Sequence, residues 1–219
     1  MDPSSKNRLT DKELFLFPGE TLFDKIGRAV CAAGCLPRKE LFESWHAARQ
    51  VRRRFRGGRV VDLACGHGLT AAILLLLDSS SEQALAIDKS LPPSAHKLQS
   101  SLVEHWPRLQ GKLELKQADI EEISLQPTDL VVSVHACGGL TDLILDKAAA
   151  VGARVAVLPC CHDLTESERT GLEGWLDGPL AIDVARATRL QQQGYSIYTR
   201  TIPAEITPKN RLLMAERKN

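Results

Sequence analysis

The segment Val60-Val61-Asp62-Leu63-Ala64-Cys65-Gly66-His67-Gly68-Leu69-Thr70 decides the fold. An apolar run enters a turn carrying two glycines, and a second apolar run, Ala71 to Leu77, follows it. Strand, tight turn and helix in that order let backbone approach a ligand closely at the carboxyl edge of a buried sheet. Downstream of Arg59 to Ala64, short apolar runs recur at Ala84 to Asp88, Lys112 to Ala118, Asp129 to His135 and Arg154 to Pro159. Helical patterns separate them at Gly68 to Asp78, Pro92 to Trp106, Thr141 to Val151 and Thr165 to Leu176, the last opening on a capping box, Thr165 to Glu168. This alternation predicts βαβ units around a parallel sheet. A helix over Leu180 to Gln193 is followed by two strand-like runs, Tyr195 to Ile202 and Arg211 to Glu216, with no helix between them. Such strands pair as an antiparallel hairpin. The expected fold is a Rossmann-like, doubly wound α/β sheet over residues 59–219, mostly parallel with a C-terminal antiparallel hairpin. Upstream, residues 1–58 read as a helical N-terminal extension whose clearest helix runs from Lys39 to Phe55.

The chain has 219 residues, 43% hydrophobic and 25% charged, enough for one globular domain plus that extension. Its net charge of +1 excludes a polyelectrolyte tail but masks an asymmetry. Residues 1–59 carry an excess of +6 and residues 60–219 an excess of −5. The first twenty residues lack a basic start followed by an apolar run, and Ala71 to Leu77 is far shorter than the ~20 residues that cross a bilayer. A cytoplasmic location is expected. None of the six cysteines forms a CxxC pair, so reduced thiols are expected.

Gly66 to Ala71 fits a GxGxxA pattern, which admits a nicotinamide dinucleotide. Asp62 argues otherwise. A carboxylate inside the strand, four residues before Gly66, repels pyrophosphate and suits a ligand ammonium group or the amides of the turn itself. Asp88 closes the second strand and Asp119 the third, and either aspartate can alternatively cap the segment after it. Taken together, these residues resemble the class I S-adenosylmethionine-dependent methyltransferases. The resemblance implies that Asp62, Gly66 and Gly68 hold the methionine end of S-adenosylmethionine, Asp88 both ribose hydroxyls, and Asp119 with the Ile120 backbone the adenine. It also implies the antiparallel last strand.

A second constellation ends the fourth and fifth strands: His135-Ala136-Cys137-Gly138-Gly139-Leu140-Thr141-Asp142 and Pro159-Cys160-Cys161-His162-Asp163. Both lie where an open α/β sheet places its ligand crevice. The pairing of HxCGxxTD with PCCHD resembles a methyltransferase subgroup that includes the eukaryotic tRNA 2′-O-methyltransferases, over roughly residues 59–165. The zinc module that precedes the domain in those enzymes is missing from this sequence. For a hydroxyl acceptor a general base is useful, and His162 is the expected base, with His135 as a second candidate catalytic residue that shapes the pocket or contacts cofactor and acceptor. Either could instead be a structural histidine. Adjacent Cys160 and Cys161 make a poor chelate pair, so no metal is expected, and Cys137, Cys160 and Cys161 read as pocket packing or, in a minority reading, a nucleophilic thiol. Six arginines fall between Arg49 and Arg59. Arg52, Arg53 and Arg56 are the expected contacts to phosphates of an RNA acceptor, tRNA or rRNA, although cations near a helix C-terminus are also favoured by the helix dipole. The function expected is methyl transfer from S-adenosylmethionine; a non-catalytic cofactor-binding partner is the competing class.

Overall fold

The computed structural model describes residues 1–162, 171, 172 and 174–218. Helices α1 (Leu22–Ala33) and α2 (Arg38–Arg54) precede strand β1 (Val60–Leu63), after which strand and helix alternate. The order is α3 (Leu69–Leu77), β2 (Ala84–Asp88), α4 (Ser94–His105), β3 (Leu113–Gln117), β4 (Leu130–Ser133), α5 (Gly139–Val151) and β5 (Arg154–Val157). Helix α6 (Gly178–Gln192) leads into β6 (Tyr195–Thr201) and β7 (Arg211–Arg217). One seven-stranded sheet results, in the order β3-β2-β1-β4-β5-β7-β6. Strands β1 to β5 are parallel to one another, whereas β7 runs antiparallel to both β5 and β6. This is a Rossmann-like, doubly wound α/β sheet, mostly parallel, with its C-terminal antiparallel hairpin. No helix among the described residues is long and apolar enough to cross a membrane.

The expected helix over Thr165 to Leu176, with its capping box, lies largely outside the described residues, and its described end, Gly174 to Leu176, is turn and bend. Strands β4 and β5 stop at Ser133 and Val157, short of the expected His135 and Pro159. Beyond those points the chain leaves the ladder at the carboxyl edge: the first motif runs from a loop into the first turn of α5, and the described part of the second, Pro159 to His162, lies on a loop.

Alternation along the strands feeds two cores. Val60, Leu130 and Val132 face the cluster formed with α1 to α4, while Val61, Leu63 and Val131 face the one formed with α5 and α6. The first 58 residues share the former core: Leu9, Phe17, Ile26, Val30, Leu41 and Val51 are buried in it beside the strands. Helix α3 is buried from Leu69 to Leu76 because it lies between the sheet and α2, which explains its lack of a polar face. Helix α2 meets it with Leu41, Ser44, Ala47, Ala48 and Val51, a stripe at helical spacing whose small residues permit close approach.

The arginine run divides by helical face. Arg52 is 2% exposed; its Nε donates to the Leu74 carbonyl at 3.1 Å, Nη2 to Ser81 Oγ at 2.8 Å, and Nη1 lies 3.1 Å from Asp78. The expectation that Arg52 contacts RNA is therefore corrected: it ties α2 to the C-terminus of α3. Arg54 pairs with Glu216 and Tyr198, and Arg59 grips buried Asp129 with two hydrogen bonds of 3.0 and 2.7 Å. Arg56 is exposed and donates to the Leu77 carbonyl at 3.3 Å. Arg49 and Arg53, one turn apart, remain on the outer face.

Candidate functional site

The loop after β1 turns through three left-handed residues, Ala64 (φ 56°), Gly66 (φ 55°) and Gly68 (φ 74°). The two glycines serve different ends. A Cβ on Gly68 would lie 2.7 Å from Leu115 Cδ2 and 3.3 Å from Ala86 Cβ, so packing of the loop onto the sheet requires glycine there. A Cβ on Gly66 would meet nothing within 4 Å, which leaves that side of the backbone open to a ligand. The Gly66 amide donates to Asp88 Oδ2 at 2.9 Å, and the Ser90 amide to Asp88 Oδ1 at 2.9 Å. Each carboxylate oxygen keeps a further lone pair for a ligand hydroxyl.

Asp62 lies beneath the same loop, 1% exposed, where its Oδ2 accepts from the Ala71 amide in the first turn of α3 at 3.2 Å. Burial pushes its carboxyl up to about 7, and the charge of Asp88 adds to the rise. Asp62, Gly66, Gly68 and Asp88 thus form one cluster. Asp119 follows β3, one strand further along the same edge, and caps a short 3-10 turn by accepting from the Glu121 amide at 3.0 Å. That bond and Lys89, 3.1 Å away, hold its carboxyl below the usual range. Ile120, beside it, is buried.

The motifs after β4 and β5 are bound to each other. Gly138 has φ 56° and ψ −133°, a conformation suited to glycine, and its amide donates to the Cys161 carbonyl at 3.2 Å. Thr141 is buried and donates to the Ala136 carbonyl at 3.1 Å, closing the turn into α5. Asp142 receives Arg186 through bonds of 2.7 and 3.1 Å and Arg189 through one of 3.0 Å. Arg186, 1% exposed, also donates to the Gly138 carbonyl at 3.1 Å and lies 3.4 Å from Asp183. The threonine and aspartate of the first motif are accordingly structural.

His162, whose side chain is 5% exposed, places Nε2 2.7 Å from Asp183 Oδ1. Asp183 Oδ2 accepts from Arg211 Nε at 2.7 Å. Burial works against the Asp183 charge, but hydrogen bonds from His162 and Arg211 outweigh it and hold the carboxyl below its ordinary value. With Nε2–H donated to Asp183, Nδ1 of His162 keeps a lone pair. His135 is half-buried, and desolvation, aided by the charge of Lys39, pushes it down to about 4, so it is neutral at pH 7. Asp183, Arg186 and Arg211 escaped the sequence reading; the one signal was the spacing of Asp183 and Arg186 on one face of an expected helix.

The three cysteines converge. Cys137 Sγ is 2.6 Å from Cys160 Sγ, and Lys209 Nζ is 3.4 Å from Cys161 Sγ. Hydrogen bonding with Cys137 and with Lys209 lowers the Cys161 thiol, while burial raises Cys137 and Cys160. On the α2 side, His46, Arg49, Gln50 and Arg53 face Thr201 to Ala204 and Asn210 across a cleft of about 470 Å³. Because β6 ends and β7 begins at the carboxyl edge of β5, the cleft flanks that same edge.

Residues 40–168 match the model of a family described as a methyltransferase domain. The chain belongs to this methyltransferase family. No curated protein matches it. Its fold is similar to that of a putative rRNA methylase from Clostridium thermocellum, 15% identical, at a TM-score of 0.54 over 78% of this chain and 93% of that one. It is also similar to magnesium protoporphyrin IX methyltransferase from Synechocystis PCC 6803 with bound SAH, 15% identical, at 0.53 over 94% of each chain. A tRNA methyltransferase of B. subtilis, TrmK, is 15% identical with a TM-score of 0.53 over 79% of this chain and 66% of that one. At identities this low, the structural likeness shows the fold alone. Family and fold together support S-adenosylmethionine as the cofactor of this methyltransferase domain.

Proposed function

We propose that this methyltransferase domain catalyses transfer of a methyl group from S-adenosylmethionine to a hydroxyl group of RNA. The residues present fit the donor: the open side of Gly66 admits it, Asp88 retains lone pairs for a ribose diol, and the enclosed carboxyl of Asp62 complements an ammonium group. Asp119 and the Ile120 backbone lie at the next strand end, where the family resemblance puts the adenine. Bound there, the donor supplies an electrophilic methyl group on a sulfonium.

The observation that carries the reading is the 2.7 Å His162 to Asp183 hydrogen bond at the carboxyl edge of the sheet. A hydroxyl acceptor must lose its proton as it attacks, and Nδ1 of His162 is the lone pair available to take it. Asp183 fixes the ring and the tautomer, and its negative charge stabilises the imidazolium that forms. His135, neutral at pH 7, serves as a wall of the pocket and not as a source of charge. RNA is favoured over a small neutral acceptor by the cleft that presents Arg49, Arg53 and His46 beside this edge.

Incubating the protein with methyl-labelled donor and separated RNA, protein and small-molecule fractions of a cell extract tests the assignment. Label in RNA, together with salt-dependent RNA binding, supports it. The double variant Arg49→Ala, Arg53→Ala should flatten the log–log salt dependence by roughly 1.4 to 1.8, the slope carried by two phosphate contacts. Label in another fraction would replace the acceptor class. Donor binding with no label in any fraction would favour a cofactor-binding partner without catalysis.

A further inference from the structure

We infer that Cys137, Cys160 and Cys161 constitute a zinc-binding site at the carboxyl edge of β4 and β5, with Lys209 as its charge partner. This goes beyond methyl transfer and does not depend on it. The three Sγ atoms all lie within 4.8 Å of one another. Tetrahedral zinc with Zn–S bonds of about 2.3 Å sets its sulfur ligands about 3.8 Å apart, so the cluster needs adjustments of about an ångström to close on one ion. Cys137 and Cys160, at 2.6 Å, are nearer than two unbonded thiols sit comfortably and farther apart than the ~2.05 Å of a disulfide. A shared cation relieves that crowding.

Adjacent Cys160 and Cys161 form a poor chelate by themselves, and that adjacency spoke against a metal in the sequence. The fold supplies what the sequence hides. Cys137 and Cys161 form a parallel bridge between the two motif loops, and the Gly138 amide donates to the Cys161 carbonyl at 3.2 Å. The third sulfur therefore arrives from the other loop, within reach of the adjacent pair. Only sulfur atoms make up the group, a set that suits Zn²⁺ and not Mg²⁺ or Ca²⁺.

Charge also balances. On binding, each of the three thiols releases its proton to the buffer, and Zn²⁺ with three thiolates carries one net negative charge. Lys209, whose Nζ is 3.4 Å from Cys161 Sγ, supplies the compensating positive charge from the loop before β7. Three protein ligands leave the fourth position of a tetrahedral ion for water or an acceptor atom, beside His162 in sequence. The ion would cross-link both motif loops.

The test is metal analysis of the full-length protein, purified without a metal-affinity tag, loaded with Zn²⁺ under reducing conditions and dialysed. We expect one zinc per chain, and with Co²⁺ in its place the visible absorption of a tetrahedral site together with thiolate charge-transfer bands. Each of Cys137→Ser, Cys160→Ser and Cys161→Ser should lower zinc content at least tenfold, while Cys35→Ala, remote from the site, should retain it. Substoichiometric zinc in the wild-type protein would overturn the inference. So would retention of zinc in all three serine variants, or thiol titration under the same conditions showing Cys137 and Cys160 joined as a disulfide. The wild-type measurement decides even if a variant fails to fold, and none of these readouts requires methyl transfer.

Discussion

Replacing Asp62 with asparagine should stabilise the fold and impair donor binding at once. The carboxyl titrates at about 7 in the folded chain, against roughly 3.9 for an aspartate in an unfolded one. A raised carboxyl means that the native state holds a proton the unfolded chain has already lost. Asp62 is therefore most compatible with folding below about pH 4, and stability falls as the pH rises from about 4 to about 7. About three units at 1.36 kcal/mol each give an order-of-magnitude cost of 4 kcal/mol above pH 7. Asparagine keeps the shape and an acceptor for the Ala71 amide while removing the buried charge. Urea melts at pH 8 should show Asp62→Asn more stable by up to that amount, and at pH 4 the gain should nearly vanish. If the bound ligand carries an ammonium group, the wild type should bind it about tenfold more weakly at pH 6 than at pH 8, as the carboxylate fraction falls. Calorimetry with S-adenosylmethionine should show that slope in the wild type and lose it in Asp62→Asn, whose affinity is also lower. A variant equally destabilised at both pH values, with donor affinity intact, would refute both the strained carboxylate and its role.

His162→Ala should reduce kcat by 10² to 10⁴ without altering the donor Kd, the range for loss of a general base; Asp183→Asn should fall between it and the wild type, and an unchanged rate in His162→Ala would remove the base. Arg52→Met breaks a buried pair with Asp78 and should cost about 3–5 kcal/mol in denaturant melts while leaving the salt dependence of RNA binding unchanged. The two loop glycines should separate fold from ligand. Gly68→Ala combines a left-handed conformation with a 2.7 Å approach to Leu115 and should lower the melting temperature sharply. Gly66→Ala meets no protein atom and should cost only about 1–2 kcal/mol of backbone strain, but weaken donor binding at least tenfold as measured by calorimetry.

The alternation of strand and helix was legible because buried parallel strands and amphipathic helices impose different periods on the chain, and the hairpin because β6 and β7 have no helix between them. The glycine loop with Asp62 and Asp88 was legible for a local reason: each residue acts within one or two elements of its neighbour. Arg52 was misread because helical rotation sends adjacent arginines to different environments. Arg52 turns toward Leu74 and Asp78, Arg53 toward the cleft, and composition records neither direction. Asp119 shows another limit, since the cap it makes and the ligand contact assigned by resemblance use the same side chain. The pairing of His162 with Asp183 was hidden because it spans two elements and has no fixed spacing.

That pairing also explains why the domain keeps so many charges beneath its motif loops. Asp183 can hold the His162 ring in one tautomer only while it remains ionised, and burial alone would protonate it and weaken its hold. Hydrogen bonds from His162 and Arg211 reverse the effect of burial, and Arg186, 3.4 Å from Asp183, is itself fixed by Asp142 of the other motif and by the Gly138 carbonyl. Asp142 is shared in turn with Arg189. An apolar cluster of equal volume could have joined α5 to α6 at less desolvation cost, but it could not have kept a buried carboxylate charged. The aspartate that ends the first motif is thus linked to the histidine of the second through Arg186 and Asp183, and a single network of contacts joins both loops to the group that holds His162.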